Sequence, residues 1–337
     1  MRRYAWQSDR APRADATEGI HMTDEHAESA PALPLVVVLM ATHNGAEFVE
    51  EQTRTILGQQ GVEVRLVVSD DASTDATLEI LRGFGDERIV ILPPGRFGTP
   101  QANFLRLVRD ADVSGAAAVA LADQDDRWHL DRYQRQLALM AEHELDAISS
   151  SVTAYWVRPD GSERSEYLEK SQPQTELDYL LESAGPGCTF VLTPQLFAAV
   201  REVIEAHPLV DETVPHDWIV YAIARATDHR WRIDPTPTID YRQHDSNATG
   251  ANTGLRPALR RARRLASGDY RKQCASIATL AASLATGETK SRLERIAPLF
   301  QRSDFASRAA LRRLVPELRR EPAERRWLDL VLRLGLW

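Results

Sequence analysis

The sequence predicts an α/β fold: a parallel sheet with helices on both faces, followed by a helical C-terminal extension. Three observations predict it. Apolar runs of strand length alternate with amphipathic helical patterns four times between residues 35 and 121. Each run ends in a polar, turn-forming cluster, and from residue 256 onward the chain becomes rich in Arg and Ala at helical spacing.

The first strand, residues 35–41, runs into Thr42-His43-Asn44-Gly45, and a helical pattern follows with Phe48, Val49, Ile56 and Leu57 on one side. Residues 64–69 repeat the unit and lead to Asp70-Asp71-Ala72-Ser73-Thr74-Asp75, with Ser73 placed as N-cap of a helix through Leu81. Residues 88–92 form a third strand. After Pro93 and Pro94 come a Gly-bearing loop and a helix near residues 101–110, with Phe104, Leu105 and Val108 at core spacing. The fourth strand, 117–121, delivers Asp123-Gln124-Asp125-Asp126-Arg127-Trp128, and a helix begins near Leu130. In doubly wound sheets ligands bind at the carboxyl ends of the strands, so Thr42, Asn44, Asp70, Asp71 and the 123–126 cluster are expected on one rim.

Three carboxylates in four positions usually hold a cation. Hard divalent ions take one or two carboxylates plus substrate phosphate oxygens, which points to a metal-bound phosphate ester; a solvated acidic turn capping the next helix is the alternative. No G-x-G-x-x-G follows the first strand and no G-x-x-x-x-G-K-[ST] occurs, which argues against dinucleotide oxidoreductases and P-loop NTPases.

At 337 residues and 43% hydrophobic content the chain suits one large domain, or a core with an appendage. No run approaches the roughly 18 apolar residues of a membrane span. Residues 1–33 read as a disordered tail, with Met22 as an alternative start and charges where a secretory apolar core would lie. Cys188 and Cys274 belong to no metal or redox pair, so a reducing cytoplasm is expected. The net charge of −8 is uneven: residues 256–337 hold 19 Lys and Arg against 8 Asp and Glu, a local +11 on a body of −19. Such a module suits an anionic membrane surface or polyanionic partner, or else solvated helix faces.

Taken in order, Ala41-Thr42-His43-Asn44-Gly45, Ser69-Asp70-Asp71-Ala72-Ser73-Thr74-Asp75, Ala122-Asp123-Gln124-Asp125-Asp126-Arg127-Trp128, His216-Asp217-Trp218 and Tyr241-Arg242-Gln243-His244 resemble glycosyltransferase family 2. More narrowly, they resemble its bacterial rhamnosyltransferase-like members. The resemblance covers residues 35–250 and implies a GT-A, Rossmann-like nucleotide-sugar-binding domain over 34–250, with 251–337 as a basic helical region. It implies that Thr42 and Asn44, with Asp70 or Asp71, hold the base and ribose. Arg96 and Asn103 would face the donor, as would Asp123 and Asp126. Asp125 is then the first candidate metal ligand and His244 the second, for Mg²⁺ or Mn²⁺. Asp217 matches the catalytic base, and His216 and Trp218 fall on the acceptor side. Trp128 either packs under the site or lines the sugar pocket, and Ser73 and Asp75 read as structural.

The small-residue segment Ser183-Ala184-Gly185-Pro186-Gly187-Cys188-Thr189, entering an apolar strand at 189–192, resembles the acceptor-side segment; a buried, unreactive Cys188 is expected. The implied activity is inverting, metal-dependent transfer of a sugar, rhamnose from dTDP-rhamnose foremost, with a UDP-sugar as the other donor. The acceptor would be a cell-surface glycan or a lipid-linked species. A glycan-binding pseudoenzyme would be expected to lose the acidic cluster or Asp217, and a sugar nucleotidyltransferase to carry a Gly-rich basic loop after the first strand; neither description fits. The apolar end, residues 327–337, with its flanking arginines suits a helix in the membrane interface, which would make the protein cytoplasmic and peripheral at the inner face. Packing on the core or a homodimer contact are the alternatives. No nucleic-acid partner is expected, because no stacking aromatics are interleaved with the arginines.

Overall fold

Val36, Val37, Val38, Leu39 and Met40 are all fully buried, and a run apolar on both faces is what a central parallel strand requires. They form β1 (Leu35–Thr42) in a computed structural model that describes residues 32–210, 213–244 and 268–337. Strand β1 pairs in parallel with β2 (Glu63–Asp70) on one side and β4 (Ala118–Ala122) on the other, and β3 (Ile89–Ile91) extends the sheet beyond β2. Helix α1 (Val49–Leu57) follows β1, α2 (Thr77–Gly83) follows β2, and α3 (Pro100–Asp110) follows β3. Helix α3 starts where a capped proline allows: the Thr99 hydroxyl accepts from the Ala102 N–H at 3.2 Å and Pro100 occupies the first turn.

After β4 come the short β5 (Arg127–Trp128), α4 (Arg132–Glu142), β6 (Ala147–Ser150), the hairpin β7 (Val152–Val157) and β8 (Glu163–Leu168), then β9 (Val191–Leu192). Helices α5 (Pro194–Ala206) and α6 (His216–Ala226) precede β10 (Trp231–Asp234) and β11 (Ile239–Arg242). The main sheet has the order β10-β6-β9-β4-β1-β2-β3, and a second sheet has the order β5-β11-β7-β8. The expected parallel sheet is corrected at one place. Strand β9 runs antiparallel to both β4 and β6, because it enters from a 3-10 turn at Gly187–Thr189 and not from a crossover helix.

Helices cover both faces, as expected. Val36, Val38, Met40, Leu66 and Ala120 face α1, α2 and α4, whereas Val37, Leu39, Val67, Val119 and Leu121 face α3, α5 and α6. The second layer also includes the C-terminal helices α7 (Asp269–Leu284), α8 (Gly287–Gln301), α9 (Phe305–Leu318) and α10 (Pro322–Leu334). Ile277, Phe300, Val315 and Val331, one from each, share the same buried cluster. Residues 33–337 form one compact unit. The expected tail, Met22 and the basic run 256–264 lie outside the described residues, among which no helix is long and apolar enough to cross a membrane.

Candidate active site

The loops that end β1, β2 and β4 are sewn together by their own polar side chains. The Thr42 hydroxyl donates to Asp70 at 2.8 Å, and Asp70 accepts from the Ser73 N–H at 2.8 Å and from the Ser73 hydroxyl at 2.5 Å. That hydroxyl accepts from the Asn44 N–H at 2.8 Å, and the Asn44 amide oxygen accepts from the Thr74 N–H at 2.8 Å. Ser73 is therefore no helix cap: α2 begins only at Thr77, because Asp70 holds Ser73 in the loop. Asp75 is structural, accepting from Thr77 at 3.0 Å and from the Ala46 N–H at 3.0 Å.

Asn103 donates to the carbonyl oxygens of Thr42 at 3.3 Å and Ser69 at 3.0 Å, tying the ends of β1 and β2. Thr42 and Asn103, 1% and 2% exposed, lie beneath the rim and not on it. The reason is topological: a polar side chain at the buried end of a parallel strand must bond to its neighbours. Asp71 accepts from the N–H groups of Phe97 at 2.5 Å and Gly98 at 2.8 Å, and so anchors the loop that presents the exposed Arg96. Past the ends of β2 and β3 a cleft of about 280 Å³ opens, lined by Asp70, Leu78, Arg82, Leu92 and Pro93 among others.

Gln124 locks β4's loop to β1's. Its amide accepts from the His43 N–H at 2.9 Å and donates to the His43 carbonyl at 3.1 Å. Gly45 makes room for it, since a Cβ there would meet Gln124 Oε1 at 2.2 Å. Asp125 meets His244 Nε2 at 2.7 Å, so the two expected metal ligands are adjacent. Asp126 differs from expectation. It is fully buried, one oxygen accepting from the Arg242 N–H at 3.2 Å and the other without a hydrogen-bond partner, so it supports the site from below instead of touching a donor.

Ligand atoms of Asp123, Asp126 and Cys188 all lie within 4.8 Å of one another. Burial, then the charge of Asp125, pushes the Asp123 carboxyl up to about 7 and Asp126 well above the usual carboxylate range. The donor chemistry fits a hard divalent cation: the carboxylates of Asp123 and Asp125, with the His244 imidazole 2.7 Å from Asp125. Burial also raises the Cys188 thiol, which stays protonated and is not a ligand for such an ion. Beneath the cluster the fully buried Arg132 lies 3.8 Å over the ring of Trp128, itself 3% exposed. Trp128 is thus packed under the site and does not line a sugar pocket.

Asp217 sits in the first turn of α6, after Pro215, and accepts from the Trp218 N–H at 2.8 Å. Burial pushes its carboxyl up to about 6, opposed by the Trp218 N–H and the Ser183 hydroxyl. His216 stacks on Phe104 with ring centroids 3.7 Å apart, and burial drives it down to about 3, so the imidazole is neutral. Trp218, expected on the acceptor side, is a core residue. One helical step turns it inward, where its indole N–H donates to the Tyr179 carbonyl at 2.7 Å. The charge of Asp217 adds to the raised Asp123 carboxyl, so the α6 carboxylate lies within electrostatic reach of the acidic cluster.

Sequence reasoning missed Arg82, Gln124, Arg132, Ser183 and Arg242. Arg242 donates to the Asp125 carbonyl at 2.8 Å, pairs with Glu51 and lies 4.9 Å over the rings of both Phe48 and Tyr155. Its place inside the Tyr241-Arg242-Gln243-His244 motif was the available signal; an isolated Arg82 or Arg132 carries none.

Residues 37–203 match the family model described as Glycosyl transferase family 2. The dTDP-rhamnosyl transferase RfbG of Shigella flexneri is 36% identical over 244 residues, covering 71% of this chain and 83% of that protein. The putative teichuronic acid biosynthesis glycosyltransferase TuaG of Bacillus subtilis is 29% identical over 163 residues, 47% of this chain and 62% of that one. Among solved structures, S. aureus TarS 1-349 in complex with UDP-GlcNAc superposes with a TM-score of 0.53 at 15% identity, covering 89% of this chain and 87% of that chain. At that identity the likeness is one of fold, and the fold is GT-A. With a relative above one third identity across most of both chains, this protein belongs to glycosyl transferase family 2 and is a glycosyltransferase.

Proposed function

We propose that the protein transfers rhamnose from dTDP-rhamnose, with inversion, to a cell-surface glycan or lipid-linked acceptor, and that it uses Mg²⁺ or Mn²⁺. The observation that carries this reading is the proximity of the buried Asp217 carboxyl to the acidic cluster, where its charge and that of Asp125 both raise Asp123. The printed activity of the Shigella relative supports the choice of donor. Asp70 and the cleft beside it would receive the nucleoside, with Arg82 and Arg96 near its phosphates. Asp123, Asp125 and His244 would hold the cation, which when bound offsets charge on the departing nucleoside diphosphate.

The rest of the chemistry belongs to side chains. An acceptor hydroxyl attacks the anomeric carbon from the face opposite the diphosphate; its proton passes to the Asp217 carboxylate while the bond to phosphate breaks. A carboxyl raised to about 6 is ionised at neutral pH and is a stronger base than an ordinary aspartate. Neutral His216 keeps the base's surroundings free of a competing cation.

The outer face of α10 supports a peripheral position at a membrane. Trp327, Leu330 and Leu334 are 45%, 51% and 62% exposed, and exposed Arg326 and Arg333 lie beside them.

Calorimetric titration of dTDP-rhamnose and UDP-sugars into wild type and Asp125→Ala, with Mn²⁺ or chelator, tests the proposal. Binding of dTDP-rhamnose that needs the ion and weakens at least about 10-fold in Asp125→Ala is expected, as for loss of a charged ligand. Tighter binding of a UDP-sugar overturns the donor, and binding unaffected by chelator overturns the metal.

A further inference from the structure

The helical extension touches the loop beside the candidate base through Arg320. Arg320 lies between α9 and α10, is 6% exposed, and donates from its guanidinium to the Ser183 carbonyl at 2.5 Å. The same group pairs with Glu182 at 3.3 Å and approaches Asp178 at 3.6 Å, while the Arg320 N–H donates to Glu182 at 2.8 Å. Neighbouring Arg319 pairs with Glu182 at 3.5 Å. The peptide at 182–183 is thus gripped on both sides from a part of the chain about 138 residues away.

Two routes lead from that grip to Asp217. In front, the chain passes from Ser183 through Gly185 (φ 107°) to Gly187, which presses on the base: a Cβ at Gly187 would lie 2.5 Å from His216 Nε2 and 3.2 Å from the Asp217 Cβ. Behind, Asp178 accepts from the Tyr221 hydroxyl at 3.1 Å and from Arg225 at 3.1 Å, both on α6, the helix that carries Asp217. Arg320 therefore touches both the loop packed against the base and the carboxylate that grips its helix.

We propose that Arg320 is a positioning residue for Asp217, holding the 182–187 loop and the body of α6 in the geometry that aims the carboxyl at the acceptor. The proposal rests on the reading of Asp217 as base. The charged and titratable groups around Asp217 are His216 on its own helix and Asp123 beyond β4, with Glu182, Arg320 and Lys170 behind Ser183. His216 is neutral, and the Trp218 N–H, the Ser183 hydroxyl and the Asp217 N–H itself favour the ionised base.

The test is the pH profile of dTDP release from dTDP-rhamnose with Mn²⁺ and water as acceptor, in the full chain, for wild type, Arg320→Met, Arg320→Lys, Ser183→Ala and Asp217→Asn. Arg320→Met and Ser183→Ala are expected to lower kcat by about 10- to 100-fold with little change in KM, the pattern of a misplaced catalytic group. The acid limb of Ser183→Ala should move above the wild-type value, because a hydrogen bond that favours the carboxylate is lost. Arg320→Lys keeps the charge without the fork and should fall between. Folded Arg320→Met with the wild-type kcat overturns the proposal. If Arg320→Met does not fold, Arg320→Lys decides: it keeps the charge but not the forked contact to the Ser183 carbonyl and Asp178, and a wild-type kcat in it overturns the proposal.

Undiminished release by Asp217→Asn sinks the base reading itself. An inactive Asp217→Asn beside fully active Arg320→Met and Ser183→Ala sinks only the positioning role. Should the wild type release no dTDP, the donor assignment fails and amide hydrogen exchange decides: faster exchange confined to residues 185–189 and the first turn of α6 in Arg320→Met supports the proposal, and unchanged exchange there overturns it.

Discussion

Asp217, the proposed base, has surroundings that act against the fold. A carboxyl raised from 3.8 to about 6 is disfavoured when ionised. Below pH 3.8 it is neutral in both folded and unfolded chains and costs nothing. Between 3.8 and 6 the unfolded chain loses its proton first, so stability falls, and above 6 the full cost is present. At 1.36 kcal/mol per unit, discounted because the group keeps some solvent access, that cost is about 2 kcal/mol. Urea unfolding of Asp217→Asn should therefore show a gain of about 2 kcal/mol at pH 8 and none near pH 3.5. A gain equal at both pH values would assign it to something other than the charge. The motif around Asp217 was legible in the sequence because three residue types and their order carry it. Ser183 and Arg132 were not, since a lone serine or arginine reads as solvated surface until the tertiary fold buries it. Asp126 was misplaced for a related reason. Sequence brings three carboxylates together but does not say which of them the second sheet covers.

At the scale of elements, the rim is rigid because each loop is an acceptor or donor for the next. Asp71 illustrates it, since one carboxylate collects two N–H groups from the loop at 93–99. Asp71→Ala leaves both without an acceptor; water replaces part of the loss, and the expected destabilisation is about 2 kcal/mol. Limited proteolysis should then cut within 93–99, where the wild type resists. Cleavage at the same rate in both would show that the loop is held by other means. The long strands β1, β2 and β4 and helix α3 were legible because runs of buried residues and helical spacing are local signals. Strand β9 was legible as an apolar run at 189–192, but its antiparallel pairing was not, and neither was the second sheet. Their pairing joins segments as far apart as Arg127 and Asp240, and nothing local announces it. Gly187, in the small-residue segment, makes room for the His216 ring, which nothing in the sequence announced.

At the scale of the molecule, an acidic body carries a basic helical module whose inner face completes the core and whose outer face on α10 is apolar. Sedimentation with vesicles containing about 30% anionic lipid should capture the wild type and lose Trp327→Glu/Leu330→Glu, with weaker capture as salt rises. Equal capture of both proteins would reassign that face. The order of the main sheet has a consequence for how the chain comes into being. Strands β4-β1-β2-β3 form one contiguous block from the first 122 residues, with short-range crossovers, whereas β9, β6 and β10 complete the other half. During synthesis the first block can collapse while the second is still inside the ribosome, leaving the free edge of β4 exposed until residues 191–192 emerge to cover it. The half proposed to receive the nucleotide is thus built first. On the proposed roles of Asp217, His244 and Arg320, catalytic competence waits for α6, β11 and the last helices, so a nascent or truncated chain is expected to bind before it can react.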